Sequence, residues 1–94
     1  MEVIVKKSFP KALKSAPGYI QEAVKEVITK LVSAKNLESS GLDYTKMEGQ
    51  KKGENYFHIR LGDWRIGAEY ANPKIILITI LSRGNIYKQF PSKK

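Results

Sequence analysis

Two adjacent segments of the chain alternate apolar and polar residues with a period of two, on either side of Gly62-Asp63. Such alternation is typical of strands that bury one face. Glycine and aspartate tolerate the backbone angles of a tight hairpin turn, and a two-residue turn would pair Leu61 with Trp64. The pattern therefore predicts a β-hairpin over residues 56–70, around which the rest of the chain is organised.

This pairing sorts the hairpin residues onto two faces. One face is apolar and is expected to lie in the core: Phe57, Ile59, Leu61, Trp64, Ile66 and Ala68. The other face is mostly polar: Tyr56, His58, Arg60, Arg65, Gly67 and Glu69. Gly67 lies opposite His58, so its missing side chain is expected to leave a hollow beside the imidazole.

Arg60 and Arg65 would lie directly opposite each other on the polar face. Like charges facing each other across two strands destabilise a sheet by roughly 0.2–1 kcal/mol. Because the planar fork of arginine suits phosphate, we interpret the pair as an anion site. The alternative interpretation is that His58 is a solvated strand residue and that the arginine stems cover neighbouring aromatic rings.

The segments before the hairpin predict one strand and two helices. Residues 2–6 are apolar enough for a short strand, and Ser8 can cap a short helix that ends at Lys14. Residues 19–34 carry apolar side chains at helical spacing and predict an amphipathic helix. Residues 35–55 have no regular pattern and predict a long loop.

After the hairpin, residues 75–81 are apolar on both faces, which is typical of a central strand. Arg83 would join the arginine face if Leu77, Thr79 and Leu81 share that side of the strand. Residues 86–90 are consistent with a last short strand. The order predicts a single α+β domain over residues 1–94, with an N-terminal helical pair on a small, mainly antiparallel, twisted sheet (β-α-α-β-β-β, with a possible fifth short strand).

Composition narrows the classes of function. The 94 residues contain no cysteine and one histidine, which excludes disulfides and argues against a structural zinc site. No apolar run approaches the roughly 20 residues needed to span a bilayer, and the first residues lack the order of a signal peptide, so a cytoplasmic protein without membrane contact is expected. The net charge of +8 favours a polyanionic partner such as nucleic acid or an acidic protein.

The order of elements, together with the segments Phe9–Leu13, Ile59–Ile66 and Arg83–Tyr87, resembles the RelE/ParE superfamily of bacterial toxins. The resemblance extends over almost the whole chain. The RelE branch, which we favour, implies an endoribonuclease that cuts mRNA, typically in the ribosomal A site, with no metal or other cofactor. The ParE branch implies an inhibitor of DNA gyrase, and both branches imply a cognate antitoxin that wraps the basic surface.

The resemblance also implies a set of site residues: His58, Arg60, Arg65, Arg83 and Tyr87. In this interpretation Arg60 and Arg65 clamp the scissile phosphate, and His58 is the general base because histidine titrates near neutrality. Arg83 stabilises or protonates the leaving group, and Tyr87 stacks on a base. Relatives often carry lysines at the positions of His58 and Arg60, and Glu69 is an alternative base.

Five further residues are predicted to contact RNA: Lys46, Lys51, Lys52, Tyr56 and Lys88. A solvated charged loop without a special role is the alternative for the lysines of residues 35–55. Two other functions stay open at this point. One is a gyrase inhibitor without nuclease activity, and the other is an inactive remnant that binds only antitoxin or RNA.

Overall fold

The computed structural model describes residues 1–91 and contains eight elements. In chain order they are β1 (Glu2–Val5), α1 (Ser8–Leu13), α2 (Gly18–Ser33), β2 (Tyr44–Lys46), β3 (Tyr56–Leu61), β4 (Trp64–Ala71), β5 (Lys74–Ser82) and α3 (Arg83–Gln89). The strands form one sheet in the order β1-β5-β4-β3-β2. β1 is parallel to β5 and the other neighbours are antiparallel, which confirms the predicted α+β class and the mainly antiparallel sheet.

The central hairpin has the predicted register. Leu61 lies opposite Trp64, Arg60 opposite Arg65, and His58 opposite Gly67. Gly62 has a φ of 61°, in the left-handed region that a two-residue turn requires and that glycine adopts without strain. The turn chemistry and the alternation together therefore determined both the pairing and the two faces.

The first face of the sheet packs against α1 and α2. Four residues of α2 at helical spacing are buried there: Ile20, Val24, Val27 and Leu31. They meet strand residues that are 0% to 1% exposed: Ile59, Ile66, Ala68, Ile75, Leu77 and Ile80. We call this set the helix-side core, and burial of its apolar area is the main source of stability in the fold.

The opposite face carries a smaller apolar cluster beneath α3. Its buried members are Met47, Ile86 and Phe90, and half-buried Tyr56, Ile78 and Leu81 pack around them. We call this set the site-face cluster. Strand β5 lies between β1 and β4 and is covered by apolar groups on both faces. This explains its continuous apolar sequence and confirms that it is an internal strand, as predicted.

A β-bulge changes which residues of β5 face each side. The register with β4 shifts between Gly67 and Ala68, so that Ile78 has no opposite residue. Leu77 therefore lies in the helix-side core while Leu81 joins the site-face cluster. Leu77 and Leu81 therefore do not share one face, so the condition stated above for Arg83 to join the arginine face is not met as it was formulated.

Two other expectations were also wrong. Residues 86–90 form no strand, because α3 spans Arg83–Gln89. The fifth strand is β2, an edge strand within the segment that was expected to be irregular, and it pairs with β3. Within residues 1–91, no helix has the length and apolarity that crossing a bilayer requires.

Candidate active site

His58 lies on β3, an internal strand between the edge strand β2 and β4. Its neighbours in the sheet are Thr45 on one side and Gly67 on the other. The residue is 5% exposed and is the one buried polar or charged residue in the part of the chain that the structure describes. The interpretation of His58 as a solvated strand residue was therefore wrong.

The hollow expected at Gly67 is filled by an aromatic ring. A Cβ atom at Gly67 would lie 2.9 Å from three ring atoms of Phe90, the residue that follows α3. The same ring packs edge-to-face against Tyr56, with 5.5 Å between the ring centroids. The space beside the imidazole is thus occupied by the C-terminal segment instead of being open to a ligand.

Tyr87 connects the buried imidazole to the surface. Its ring lies edge-to-face with that of His58 at 5.5 Å, and its hydroxyl lies 3.4 Å from Nε2 of His58. Tyr87 is 66% exposed, whereas Nδ1 of His58 is buried without a hydrogen-bond partner. If the tyrosine donates to Nε2, the imidazole proton is on Nδ1, and Nε2 is free to accept a proton through the hydroxyl.

The surroundings of His58 favour its neutral form. Burial lowers the pKa of His58 below the ordinary 6.5, the positive charge of Arg65 lowers it further, and the carboxylate of Asp43 acts in the opposite direction. The imidazole is therefore uncharged at neutral pH. A neutral histidine beside cationic groups is able to act as a proton acceptor.

Arg60 and Arg65 lie opposite each other as predicted, but their guanidinium groups have different partners. Nη1 of Arg65 donates to the carbonyls of Gly62 and Trp64 at 2.7 and 2.8 Å, so the hairpin turn fixes this side chain. Nη1 of Arg60 lies 3.9 Å from the carboxylate of Asp43, and both side chains are more than half exposed. Arg65 is thus held rigidly, whereas Arg60 is held by a loose surface ion pair.

Arg83 lies at the same end of the sheet as the two opposed arginines. It is the first residue of α3, and its backbone N–H donates to the carbonyl of Asp63 in the hairpin turn at 2.8 Å. Within residues 1–91, Arg83 and Arg65 form no ion pair with a carboxylate. Three arginines, two of them exposed, are therefore attached to the backbone close to the hairpin turn: Arg60 and Arg65 on its two strands, and Arg83 through its hydrogen bond to Asp63.

The predicted RNA-contacting residues do not form one surface. Lys46 lies opposite Phe57, on the helix side of the sheet, while Lys51 and Lys52 are exposed on the loop before β3. Tyr56 is half-buried against Phe90. Lys88 lines an open cleft of about 550 Å³ together with Met47, Glu48, Tyr87, Gln89, Phe90 and Pro91.

Sequence reasoning missed Asp43 and Phe90. Asp43 approaches Arg60 because β2, the strand that follows it, pairs with β3, and the backbone N–H of Arg60 donates to the Asp43 carbonyl at 2.8 Å. Phe90 is four residues after Ile86, a spacing that puts both side chains on one face of a helix and that could have indicated α3. Glu69, the alternative base, is half-buried opposite Tyr56, two residues along the strand from the position facing His58.

Comparison with known proteins places this geometry in a family. No protein-family model matches the sequence. Toxin RelE3 of Methanocaldococcus jannaschii is 37% identical over 91 residues, covering 97% of this chain and all of that protein. A chain of the RelB-RelE antitoxin-toxin complex from Methanococcus jannaschii superposes with a TM-score of 0.76 at 35% identity, covering 94% of this chain and 99% of that chain.

A second solved structure agrees. A chain of the archaeal RelE-RelB complex from Pyrococcus horikoshii superposes with a TM-score of 0.68 at 25% identity, covering 88% of this chain and 94% of that chain. The similarity to RelE3 extends over the full length of both proteins, and the sheet with its helices matches the solved RelE complexes. This chain belongs to the RelE family of toxins from toxin–antitoxin modules.

Proposed function

We propose that this protein is a metal-independent endoribonuclease that cuts mRNA on the ribosome and so inhibits translation, as the toxin of a type II toxin–antitoxin module. The observation that carries the proposal is the contact between buried, neutral His58 and exposed Tyr87, beside three arginines at one end of the sheet. A proton acceptor next to concentrated positive charge suits attack of a ribose 2′-hydroxyl on the neighbouring phosphorus.

In this mechanism the proton of the 2′-hydroxyl leaves through Tyr87. The hydroxyl of Tyr87 accepts that proton and passes its own to Nε2 of His58, which is too deeply buried to meet the ribose directly. The distance of 3.4 Å is long for a hydrogen bond, as catalytic contacts often are before substrate binds. The ring of Tyr87 is exposed and can also stack on a base, a contact worth roughly 1–3 kcal/mol.

The arginines stabilise the charge that develops during attack. The 2′-oxygen forms a bond to phosphorus, the bond from phosphorus to the 5′-oxygen breaks, and the leaving 5′-oxygen takes up a proton from water, which leaves a 2′,3′-cyclic phosphate and a 5′-hydroxyl. Arg60 and Arg65 hold the non-bridging oxygens, and Arg83 stabilises the leaving 5′-oxygen. Arg65 is suited to this role because the turn carbonyls fix its position, and preorganised cations are commonly the largest catalytic contribution.

We further propose that a cognate antitoxin covers the basic surface. The solved relatives are complexes of RelE with RelB, and the net charge of +8 on 94 residues gives an acidic partner a strong electrostatic attraction. An antitoxin bound over Arg83 and Tyr87 would exclude RNA from the site. Co-expression with the neighbouring reading frame, followed by purification of the complex, tests this interaction.

The nuclease proposal is tested by primer extension on a translated mRNA. The native protein is expected to produce discrete cuts, and Arg65→Ala and Arg83→Ala are expected to abolish both cleavage and growth arrest while the circular dichroism spectrum stays native. Lys30→Ala is the matched control, since it removes one positive charge from an exposed residue of α2. This control should cut like the native protein.

Two results would contradict the proposal. One is a native protein that leaves translated and free mRNA intact but abolishes gyrase-dependent supercoiling, which would indicate a ParE-like inhibitor. The other is induced expression that leaves growth unchanged, which would indicate an inactive remnant. Cleavage of naked RNA as fast as translated RNA would retain the nuclease and remove the ribosome from the proposal.

A further inference from the structure

The short helix α3 depends on its anchors for its position. It has seven residues, and helices of that length are not stable alone in water. Ile86 is 0% exposed and Phe90, directly after the helix, is 4% exposed. These two side chains, four residues apart, hold α3 against the sheet.

Tyr87 contributes little to this attachment. It is 66% exposed, so most of its surface contacts nothing in the part of the chain that the structure describes. Its contact with His58 is the edge-to-face ring packing and the hydrogen bond of 3.4 Å. The position of Tyr87 therefore depends largely on how the rest of α3 is attached to the sheet, through Ile86 and Phe90.

Phe90 is seated against the one strand position that lacks a side chain on this face. A Cβ atom at Gly67 would approach three atoms of the Phe90 ring to 2.9 Å, closer than real Cβ contacts. The backbone of Gly67 does not have a positive φ, so the conformation itself does not require glycine. The space occupied by the ring is thus the local reason why glycine is needed here.

The β-bulge supports the same contact. The register shift beside Gly67 leaves Ile78 unpaired in the ladder, and its side chain joins the site-face cluster with Ile86 and Phe90. The hydroxyl of Ser8 donates to the carbonyl of Ile78, which fixes the bulge from α1. Both strands that contact α3 therefore contribute to its binding site on the sheet: β4 through Gly67 and β5 through Ile78.

We propose that Gly67 and Phe90 are positioning residues, a size-matched pair that seats α3 and thereby holds the Tyr87 hydroxyl at His58. The effect of the pair on RNA cleavage rests on the proposed function, whereas its effect on the His58–Tyr87 contact does not. Neither residue touches the substrate. Catalysis needs them because a small displacement of Tyr87 breaks the path for the proton.

Gly67→Ala is the direct test. The added methyl group displaces the Phe90 ring, so cleavage is expected to fall by about 10- to 100-fold. Loss of burial is expected to raise the pKa of His58 toward 6.5, and NMR can follow this titration without ambiguity because the chain has one histidine. Gly18→Ala is the matched control, since a Cβ there meets nothing within 4 Å.

Two further variants separate positioning from general destabilisation. Gly67→Ala combined with Phe90→Leu restores the space, so cleavage and the lowered pKa of His58 should both return toward native values. In the Gly67→Ala background, Tyr87→Phe should cause a smaller fold-loss than it causes in the native protein, because part of the contribution of the hydroxyl is already gone. Full multiplicative loss in that double variant would overturn the proposal.

If Gly67→Ala does not fold, Phe90→Leu and Phe90→Ala take its place. Both variants should raise the pKa of His58 and reduce cleavage, and Phe90→Ala should have the larger effect on both. A His58 titration that stays native in these variants overturns the proposal, whatever happens to cleavage. If the native protein cuts no RNA, the proposed function fails, but the titration of Gly67→Ala still decides whether this pair seats α3.

Discussion

The two faces of the sheet are built differently. The helix-side core joins α2 to three strands, β3, β4 and β5, through aliphatic side chains that are almost fully buried. The site-face cluster has three buried members, two of which come from residues 86–90. Its Phe90 ring packs on Gly67, opposite a histidine with an unpaired buried nitrogen. A buried polar atom without a partner costs free energy, so we expect stability to come mainly from the first face, whereas the proposed catalytic residues lie on the second face.

Because the two faces differ in this way, we expect substitutions on one face to change mainly stability and substitutions on the other to change mainly activity. A substitution in the helix-side core should affect the whole domain, because those residues connect most of the elements. A substitution on the site face should affect α3, Tyr87 and the arginines while the rest of the sheet persists. The following predictions test that separation.

The largest effect is expected from Tyr87→Phe. It removes only the hydroxyl at Nε2 of His58 and keeps the exposed ring, so cleavage should fall by about 10²- to 10⁴-fold, the usual loss for a proton-transfer group. The midpoint of urea unfolding should stay native. Primer extension and urea titration measure the two effects, and a variant that cuts normally would leave base stacking as the only role for Tyr87.

Ile66→Ala tests the other face. Ile66 is 0% exposed in the helix-side core, so truncation should lower the free energy of unfolding by about 2–5 kcal/mol. Ile86→Ala, equally buried on the site face, should cost less because it releases mainly α3. Chemical denaturation of both variants compares the faces, and equal costs would contradict the separation.

The effect of pH on stability is expected to be smaller than that of the core truncations, and it should follow the titration of His58. Because the folded pKa of His58 lies below the ordinary 6.5, the unfolded chain binds a proton at higher pH than the folded chain. The contribution of His58 to the free energy of unfolding should therefore be complete above pH 6.5. It should fall as the pH drops through 6.5 toward the folded pKa. Cleavage should decline at lower pH, around the folded pKa, where His58 becomes protonated in the folded protein. His58→Asn should lose the pH dependence of stability.

The smallest effect is expected from Asp43→Asn. The ion pair with Arg60 is exposed and 3.9 Å long, so stability should change by roughly 0–1 kcal/mol. The carboxylate of Asp43 raises the pKa of His58 against the lowering by burial and Arg65, so its loss should lower that pKa further. NMR titration of the single histidine measures the shift, and a shift upward would refute the electrostatic account.

The hairpin and helix α2 could be predicted because their signals are local. The alternation around Gly62 and the helical spacing from Ile20 to Leu31 each depend on neighbours a few residues away. Strand β2 has three residues at the edge of the sheet, and so short a run leaves no periodic signal. This segment forms a strand because its backbone pairs with β3, a contact between residues distant in the sequence.

The burial of His58 could not be predicted because it depends on distant contacts. In the sequence, His58 alternates with apolar residues as a solvated residue would, and Gly67 indicates only that space exists. The ring that fills this space comes from Phe90, in a segment whose apolar residues fit a short strand as well as a helix. The bulge at Ile78, which brings that strand into contact with α3, has no signature in the sequence either.

The parallel pairing of β1 with β5 has a consequence for how the protein is made. Residues 2–5 must wait for residues 74–77 before their strand has a partner, and α3 follows later still. During synthesis from the N-terminus, Tyr87 therefore cannot reach His58 until residues 83–90 have left the ribosome. We therefore expect a nascent chain that ends before residue 83 to lack the proposed active site.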